Sequence, residues 1–219
     1  MSVVATPPVE SQEQRIILDN VNWETYEGLL AANRDRSSPR MAYDKGTLEI
    51  MTPSLKHEDL KQILATAAEL AAEEWGIEFR NLGSTTYRRQ EPRQGAEPDS
   101  CLYVQNVERI RGKEEINLAV DPPPDLVIEI EITSPVLNRL PIYAGFGVPE
   151  IWITDGHSVR ILRLSQELHL TDRYLTQEKS EVLPPLDAAV LTRFVEQSTA
   201  LTMLAWRRTV REWARQHRP

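Results

Sequence analysis

The chain has 219 residues, of which 41% are hydrophobic, and this is enough for the core of one mixed domain. Its 25 Lys and Arg residues against 33 Asp and Glu give a net charge of -8, which excludes a uniformly basic nucleic-acid-binding surface but allows local basic rims. A lone cysteine, no signal-peptide pattern and no apolar run near the ~20 residues of a membrane span predict a cytoplasmic protein without a membrane role.

The first elements of the chain are a tail, a helix and a hairpin. Residues 1–14 contain Pro and Gln and predict a flexible N-terminal tail, and residues 15–219 predict a single domain. Residues 15–18 could add an edge strand to it. The first predicted elements within the domain are a helix at 23–33 and a hairpin of strands 41–43 and 47–51 around the turn 44–46.

A longer helix follows, and Ser54 is placed to cap its N-terminus. Its apolar residues recur at i, i+3, i+4, i+7, i+10 and i+11, which predicts one face packed on a sheet. These residues are Leu60, Ile63, Leu64, Ala67, Leu70 and Ala71.

The second half of the chain alternates strands and helices. The polar stretch 105–124 predicts a surface excursion that could lie near a substrate. Around it we expect strands at 76–80, 85–88, 99–104 and 126–133, a helix over most of 136–145, a hairpin of 151–154 and 159–162, and one long helix from about 187 to 215. The fold class is therefore α/β, with a sheet flanked by helices.

Asp99 and the strand glutamates Glu129 and Glu131 carry most of the functional information in the sequence. In the strand that follows Asp125, alternate residues share a face, so Glu129 and Glu131 point away from the aliphatic side chains. Two ionised groups on a mostly buried strand need a cation, a hydrogen-bond donor or protonation. A hard divalent metal ion is the simplest compensation. Taken singly, Asp99 could merely start a strand and Glu129 could be a buried, hydrogen-bonded acid.

Three segments together resemble the putative restriction endonuclease domain family, a former domain of unknown function within the PD-(D/E)xK nuclease superfamily. They are the segment 97–106, which contains Pro98-Asp99, the segment 124–129, and the segment 147–152. With the hairpin and the helix near His57, the resemblance covers roughly residues 21–213. It implies a restriction-endonuclease-like core with a central mixed β-sheet flanked by helices.

The resemblance also implies a metal-dependent DNA endonuclease that hydrolyses phosphodiester bonds. Asp99 and Glu129, with Glu131 as an additional ligand, would hold Mg²⁺ or Mn²⁺ together with a backbone carbonyl near residue 130 or 131. Such a cation would polarise the phosphate and activate a bound water.

The chain departs from the superfamily pattern at the lysine. Glu131 stands two residues after Glu129, where a lysine is often found, and in the family a lysine can instead precede a tyrosine by four residues. Here that position is Arg139, four before Tyr143. Arginine can orient a phosphate and stabilise its charge, but it cannot readily act as a base. The alternative is therefore a catalytically silent dimer with the nuclease fold, which acts as a binding or regulatory protein.

His57 and Glu58, at the start of the long helix, are further candidates for the surroundings of the site, as is Tyr143. His57 lies one turn before Leu60 and so faces the sheet, where it could border the site or simply satisfy backbone groups. Glu58 could reach the metal from the helix, or it could be a solvated helix glutamate.

Basic rims and an aromatic stripe complete the sequence picture. Local rims could be formed by Arg34, Arg36 and Arg40, by Arg88, Arg89 and Arg93, and by Arg207, Arg208 and Arg211, although each group could be a solvated face. The stripe near the C-terminus consists of Met203, Trp206, Val210 and Trp213. It could pack on its own domain or pair with a second subunit, and we expect a homodimer.

Overall fold

The computed structural model describes residues 13–34, 36, 38–133, 137–167 and 172–219. The strands are β1 (Gln14–Leu18), β2 (Arg40–Asp44), β3 (Thr47–Thr52), β4 (Arg80–Asn81), β5 (Tyr87–Arg89), β6 (Gln94–Ala96), β7 (Ser100–Tyr103), β8 (Leu126–Ile130), β9 (Glu150–Thr154), β10 (Val159–Leu164) and β11 (Tyr174–Gln177). The helices are α1 (Trp23–Ala32), α2 (Leu55–Trp75), α3 (Leu140–Phe146), α4 (Ala188–Ala200) and α5 (Met203–Gln216).

The strands form two sheets. The larger has six strands in the order β11-β10-β9-β8-β7-β4 and is mixed, because β8 and β9 are parallel while its other neighbours are antiparallel. The smaller is antiparallel, with the order β1-β3-β2-β6-β5. Helices cover the larger sheet, so the predicted α/β class with a central mixed sheet flanked by helices is confirmed.

The alternation predicted for β8 decides which face of the larger sheet each helix covers. Leu126, Ile128 and Ile130 face one core cluster, which the apolar sides of α2, α4 and α5 complete. Val127 points the other way, into the cluster that α3 closes. Glu129 follows on that second face, where a carboxylate needs polar partners.

The excursion between β7 and β8 is more closely packed than the sequence predicts. Ile110 and Leu118 are buried in the same core cluster as Val127. The guanidinium of Arg80 also donates hydrogen bonds to the carbonyls of Ile110 at 2.9 Å and Lys113 at 3.0 Å. The segment is therefore an anchored part of the fold, because apolar residues within the polar stretch reach the core.

Several element boundaries differ from the sequence predictions. Gly76 adopts a left-handed conformation (φ 68°) that ends α2, so the strand expected at 76–80 is reduced to β4. The expected C-terminal helix is two helices, since Thr202 accepts a hydrogen bond from the amide of Ala205 and caps α5. Strands β6 and β11 were not expected. The start of the helix expected at 136–145 includes residue 136, which lies outside the described residues.

Three of the four residues of the C-terminal stripe pack on their own chain, while Met203 is 46% exposed. Trp206 and Val210 are fully buried against α2 and α4, and the ring of Trp213 lies 6.2 Å from Trp75 and 5.6 Å from Phe194. The cost of exposing these tryptophans therefore gives no reason for a second subunit, and the homodimer stays a prediction. In the described part of the chain, no helix is both long and apolar enough to cross a membrane.

Candidate active site

The candidate site lies where the two sheets meet the N-terminal ends of α2 and α3. Asp99 directly precedes β7, and the pairing of Ser100 with Ile128 brings it to the part of β8 that carries Glu129. Both acids are almost fully buried, with 1% and 5% of their surfaces exposed. The structure thus brings together the two acids that the sequence singled out.

Both carboxylate oxygens of Asp99 are engaged. One accepts a hydrogen bond from Nε2 of His57 at 2.8 Å and another from the guanidinium of Arg40. The second accepts the backbone N–H of Ile130 at 2.7 Å. Burial opposes ionisation, but these contacts, with the charge of Arg139, hold the pKa of Asp99 below its usual value. Asp99 is therefore a carboxylate already neutralised by cationic side chains.

Glu129 has a different environment although it lies in the adjoining strand. Tyr143 donates its hydroxyl to one oxygen, and Nη1 of Arg139 donates to the other at 3.1 Å. Burial raises the pKa of Glu129 to about 7, and the negative charge of Asp99 adds to this effect while Arg139 opposes it. The two acids thus have pKa values shifted in opposite directions.

His57 lies between two carboxylates. Its Nε2 faces Asp99, and its Nδ1 lies 2.7 Å from a carboxylate oxygen of Glu13. Both ring nitrogens must carry a proton to satisfy these acceptors, so the geometry indicates an imidazolium ion. Burial opposes protonation, but the hydrogen bonds to Asp99 and Glu13 raise the pKa of His57 to about 9. Ser54 caps α2 by accepting the His57 amide at 3.2 Å, which fixes the start of the helix.

A second chain of contacts reaches the site from the smaller sheet. Arg139 donates Nη2 to Glu49 in β3 at 2.7 Å, and Arg15 in β1 donates Nη1 to both oxygens of Glu49 at 3.2 Å. Arg15 also donates Nε to Glu13 at 2.7 Å, and the hydroxyl of Thr133 donates to Glu13 at the same distance. Burial opposes ionisation, but the hydrogen bonds from His57, Thr133 and Arg15 lower the pKa of Glu13 to about 2.

The other two acids expected near the site lie at its edge. Glu58 contacts Arg40 and Lys61, and its side chain is 38% exposed. Glu131 is 27% exposed, and the nearest cationic group is Nη2 of Arg160 at 3.6 Å. Glu131 is therefore not grouped with Asp99 and Glu129 as a third ligand in this arrangement.

Comparison with known proteins gives the network a family context. The model of the Uma2 family, described as "Putative restriction endonuclease", matches residues 23–201. The chain belongs to the Uma2 family. This agrees with the resemblance drawn from the sequence motifs, and it makes a nuclease-like function the coarse assignment.

One similar solved structure is a putative nuclease belonging to DUF820 from Anabaena variabilis ATCC 29413. It is 17% identical, the alignment covers 89% of this chain and 99% of that chain, and the TM-score is 0.48. No curated protein matches the chain. The family assignment rests on the Uma2 match alone.

The Uma2 match does not include every residue of the charged network. Asp99, Glu129 and Arg139 lie within the matched range, as do the helix residues around His57. Glu13 and Arg15 lie before it. Strand β1 and the residue directly before it therefore bring to the site two charged side chains that lie outside the matched range.

The residues present do not fit a resident divalent cation in this conformation. Carboxylate oxygens are suitable ligands for Mg²⁺ or Mn²⁺. However, all four oxygens of Asp99 and Glu129 accept hydrogen bonds, and charged side chains supply three of the five donors. Among the described residues, no group of three or more His, Cys, Asp or Glu side chains is arranged to hold a metal ion. The metal roles of Asp99, Glu129 and Glu131 stay predictions.

Sequence reasoning missed four members of the network: Glu13, Arg15, Arg40 and Glu49. The sequence pattern places Arg40 in a basic rim, yet it is buried beside Asp99, while Arg34 and Arg36 are exposed. One signal was available for Glu49, because it shares a strand face with the buried Met51 and therefore has to find a partner. The partners themselves come from distant elements, which strand alternation does not reveal.

Besides Arg88, whose Nε lies 2.9 Å from a carboxylate oxygen of Glu27, two of the other proposed rim arginines have partners within the fold. Arg89 donates to the carbonyl of Gly145 at 2.8 Å, close to the end of α3. Arg211 donates to Glu74 at 2.8 Å and to Glu73 at 2.7 Å, joining α5 to α2. These two side chains hold elements together.

Proposed function

We propose that the protein is an endonuclease that hydrolyses phosphodiester bonds in DNA. The observation that carries this proposal is the buried pair Asp99 and Glu129. Asp99 directly precedes β7, Glu129 lies in the adjoining β8, and Arg139 donates a hydrogen bond to Glu129. Membership of the Uma2 family supports the same reaction class. A homodimer and a cytoplasmic location are part of the proposal, the latter because the only cysteine, Cys101, is a buried free thiol.

Arg139 supplies fixed positive charge in this proposal. Burial opposes its charge, but Glu129, Tyr143 and Glu49 raise the pKa of Arg139 well above its usual value, so it stays charged. A buried guanidinium with donors on two sides can orient a phosphate oxygen and stabilise charge that develops on it. It cannot remove a proton from water, so that task falls to another group.

Mg²⁺ or Mn²⁺ belongs to the proposal as a requirement to be tested. The oxygens that would bind the cation are those that Arg40, His57 and Arg139 contact here. Cation binding therefore requires these side chains to move. Glu58 and Glu131 are more exposed than the buried pair, so in this proposal an ion or a phosphodiester approaches from their side.

The second candidate function is a catalytically silent nuclease-fold protein that binds nucleic acid or protein. One observation favours it: the acidic pair is neutralised by Arg40, His57 and Arg139 within the chain itself. A buried carboxylate that is already paired with cationic side chains gains little electrostatic free energy by binding an external cation. The two candidates differ in whether purified protein cleaves DNA.

The test is cleavage of supercoiled and linear DNA by the purified protein with Mg²⁺, with Mn²⁺ and with a chelator. We expect metal-dependent nicking that Glu129→Gln lowers by ~100-fold or more, since this change removes the carboxylate but keeps its shape. The matched control is Glu150→Gln, because Glu150 is a buried strand glutamate in the neighbouring β9 with partners outside the site.

Each outcome separates the candidates. Loss of cleavage in Glu129→Gln with retention in Glu150→Gln supports the endonuclease. Cleavage that survives in Glu129→Gln points to another site or a contaminant. No cleavage by the wild-type protein with either metal and either DNA form favours the silent nuclease fold.

A further inference from the structure

We propose that Glu13 and the strand that follows it, β1, complete the site by supplying two positioning residues, Glu13 itself and Arg15. Glu13 orients His57 against Asp99, and Arg15 acts through Glu49 to keep Arg139 on Glu129. This inference rests on the proposed nuclease function and deepens it. It extends the site beyond residues 23–201, the range that matches the Uma2 family.

The first step is the placement of His57. Glu13 and Asp99 hold the two ring nitrogens at 2.7 and 2.8 Å, so the ring plane is fixed from both sides. The Glu13 side chain is only 2% exposed, so this contact is not weakened by solvent. Without Glu13 the imidazole keeps one partner and gains rotational freedom, and Asp99 loses a defined donor.

The second step is the placement of Arg139. Its guanidinium is shared between Glu129 and Glu49, and the carboxylate of Glu49 is shared between Arg139 and Arg15. Glu49 is fully buried, so its charge has to be balanced within the protein. If Arg15 is lost, Arg139 alone balances Glu49 and is drawn away from Glu129.

The geometry of β1 explains why these two side chains point inward. Within the described part of the chain, β1 is an edge strand that pairs with β3, and Arg15 lies opposite Met51 while Ile17 lies opposite Glu49. Arg15 therefore meets Glu49 as a diagonal neighbour on one face of the sheet. Alternation places Glu13 on that face as well and leaves the intervening Gln14 exposed.

The kinetic test uses the full chain and supercoiled DNA. Glu13→Leu and Arg15→Leu should each lower kcat by ~10-fold or more with KM changed less than ~2-fold, since positioning acts on the chemical step. The conservative changes Glu13→Gln and Arg15→Lys, which keep an acceptor and a charge, should recover part of kcat. The matched control is Gln14→Ala on the exposed face of the same strand, which should leave kcat and KM unchanged.

A second measurement decides the inference even if the leucine variants do not fold or the wild-type protein cleaves no DNA. In the NMR spectrum of ¹⁵N-labelled protein, both ring N–H protons of His57 should be protected from exchange. In Glu13→Gln the Nδ1 proton signal should move upfield, because a hydrogen bond to a carboxylate becomes one to an amide oxygen. The Gln14→Ala spectrum should match the wild type.

The outcomes are distinct. An inactive wild type whose Glu13→Gln spectrum shows the expected shift rejects the nuclease proposal and keeps the placement of His57 by Glu13. An active wild type whose kcat is unaffected in the folded Glu13 and Arg15 variants overturns the inference while keeping the nuclease. A His57 spectrum that does not change in Glu13→Gln also overturns it.

Discussion

Two buried glutamates in neighbouring strands, Glu129 and Glu150, differ in the kind of partner that each one binds. Glu129 in β8 faces the guanidinium of Arg139 and the hydroxyl of Tyr143. Glu150 in β9 accepts from the indole of Trp152 at 2.7 Å, the hydroxyl of Ser180 at 2.6 Å and the backbone amide of Glu181 at 2.6 Å. Burial is nearly equal for the two, so burial alone does not identify a functional acid.

The difference lies in the partners. Glu150 is satisfied by neutral donors, which pin the loop after β11 to the sheet. Glu129 belongs to a network of alternating charges that runs through Arg139, Glu49 and Arg15. A carboxylate held by cationic side chains can exchange one of them for another cation or a substrate if that side chain changes rotamer, whereas the backbone amide that holds Glu150 stays in place. We therefore expect a structural role for Glu150, and the proposed function places the functional role on Glu129.

The largest effect on stability is expected at Arg40. Replacing it in Arg40→Met leaves Asp99 with one fewer cationic partner in a buried site, and we expect a loss of about 3–5 kcal/mol in the free energy of unfolding. The comparison is Arg211→Met, because Arg211 makes its ion pairs with Glu73 and Glu74 near the surface. That change should cost less than about 1 kcal/mol. Urea unfolding of both variants measures the difference, and equal losses would contradict a special role for the buried pair.

The second effect is a pH dependence that His57 introduces. Its pKa is raised from 6.5 to about 9 in the folded protein, so its contribution is fully present below pH 6.5 and is lost as the pH rises to about 9. This shift corresponds to about 3 kcal/mol of the free energy of unfolding. We expect wild-type stability to fall over that window, and His57→Gln to show a flatter profile.

The control for the pH profile is His217→Gln, because His217 is exposed and stacks on Trp213 at the far end of the molecule. Denaturant unfolding at several pH values between 6 and 9.5 compares the three proteins. A His57→Gln profile as steep as that of the wild type would show that His57 does not hold its proton as the contacts indicate.

A smaller effect is expected at Glu150. The change Glu150→Gln turns one acceptor oxygen into a donor that faces Ser180 or the amide of Glu181. We expect a loss of about 1–3 kcal/mol in the free energy of unfolding. Thermal unfolding measures this loss. If the variant were as stable as the wild type but impaired in DNA cleavage, the division between structural and functional acids would be wrong.

The smallest effect concerns two helix caps. Ser54→Ala and Thr202→Ala each remove a hydroxyl that accepts a backbone amide, at the starts of α2 and α5. Each should cost about 1 kcal/mol of stability. Only Ser54→Ala should also slow DNA cleavage, because His57 lies in the first turn of α2. Chemical unfolding and cleavage rates of the two variants test this. Equal cleavage rates would show that the cap at Ser54 does not affect the site.

The sequence reveals the parts of this protein that depend on local rules. Alternation in β8 assigns Glu129 to the face opposite Ile128 and Ile130, and the helical period of α2 predicts its buried face. The cap at Ser54 and the turn before β3 are likewise encoded by neighbouring residues. These features place the carboxylates on their elements before any long-range contact is known.

The remaining features depend on contacts between distant residues. The bond from Arg15 to Glu49 spans 34 residues, and the one from Arg139 to Glu49 spans 90. No local period encodes such pairings, so Asp99, Glu129, His57 and Arg139 could be singled out from the sequence, while the contacts that Glu13, Arg15, Arg40 and Glu49 make with them could not. The divided C-terminal helix has a local cause, since Leu201 leaves the helix and Thr202 caps the next one. Because apolar residues recur at helical spacing in α5 as well, the sequence pattern does not show that α4 and α5 are separate helices.

The central claim, that the Asp99–Glu129 pair is a hydrolytic site, is tested most directly by DNA cleavage in two aspartate variants. Asp99 and Asp125 are both buried and both accept backbone amides, but the other partner of Asp125 is the side-chain amide of Asn106 rather than a cation. With Mg²⁺ or Mn²⁺, we expect Asp99→Asn to abolish cleavage and Asp125→Asn to retain it, with both proteins folded by circular dichroism. Equal cleavage by the two folded variants, or none by the wild-type protein, would contradict the claim.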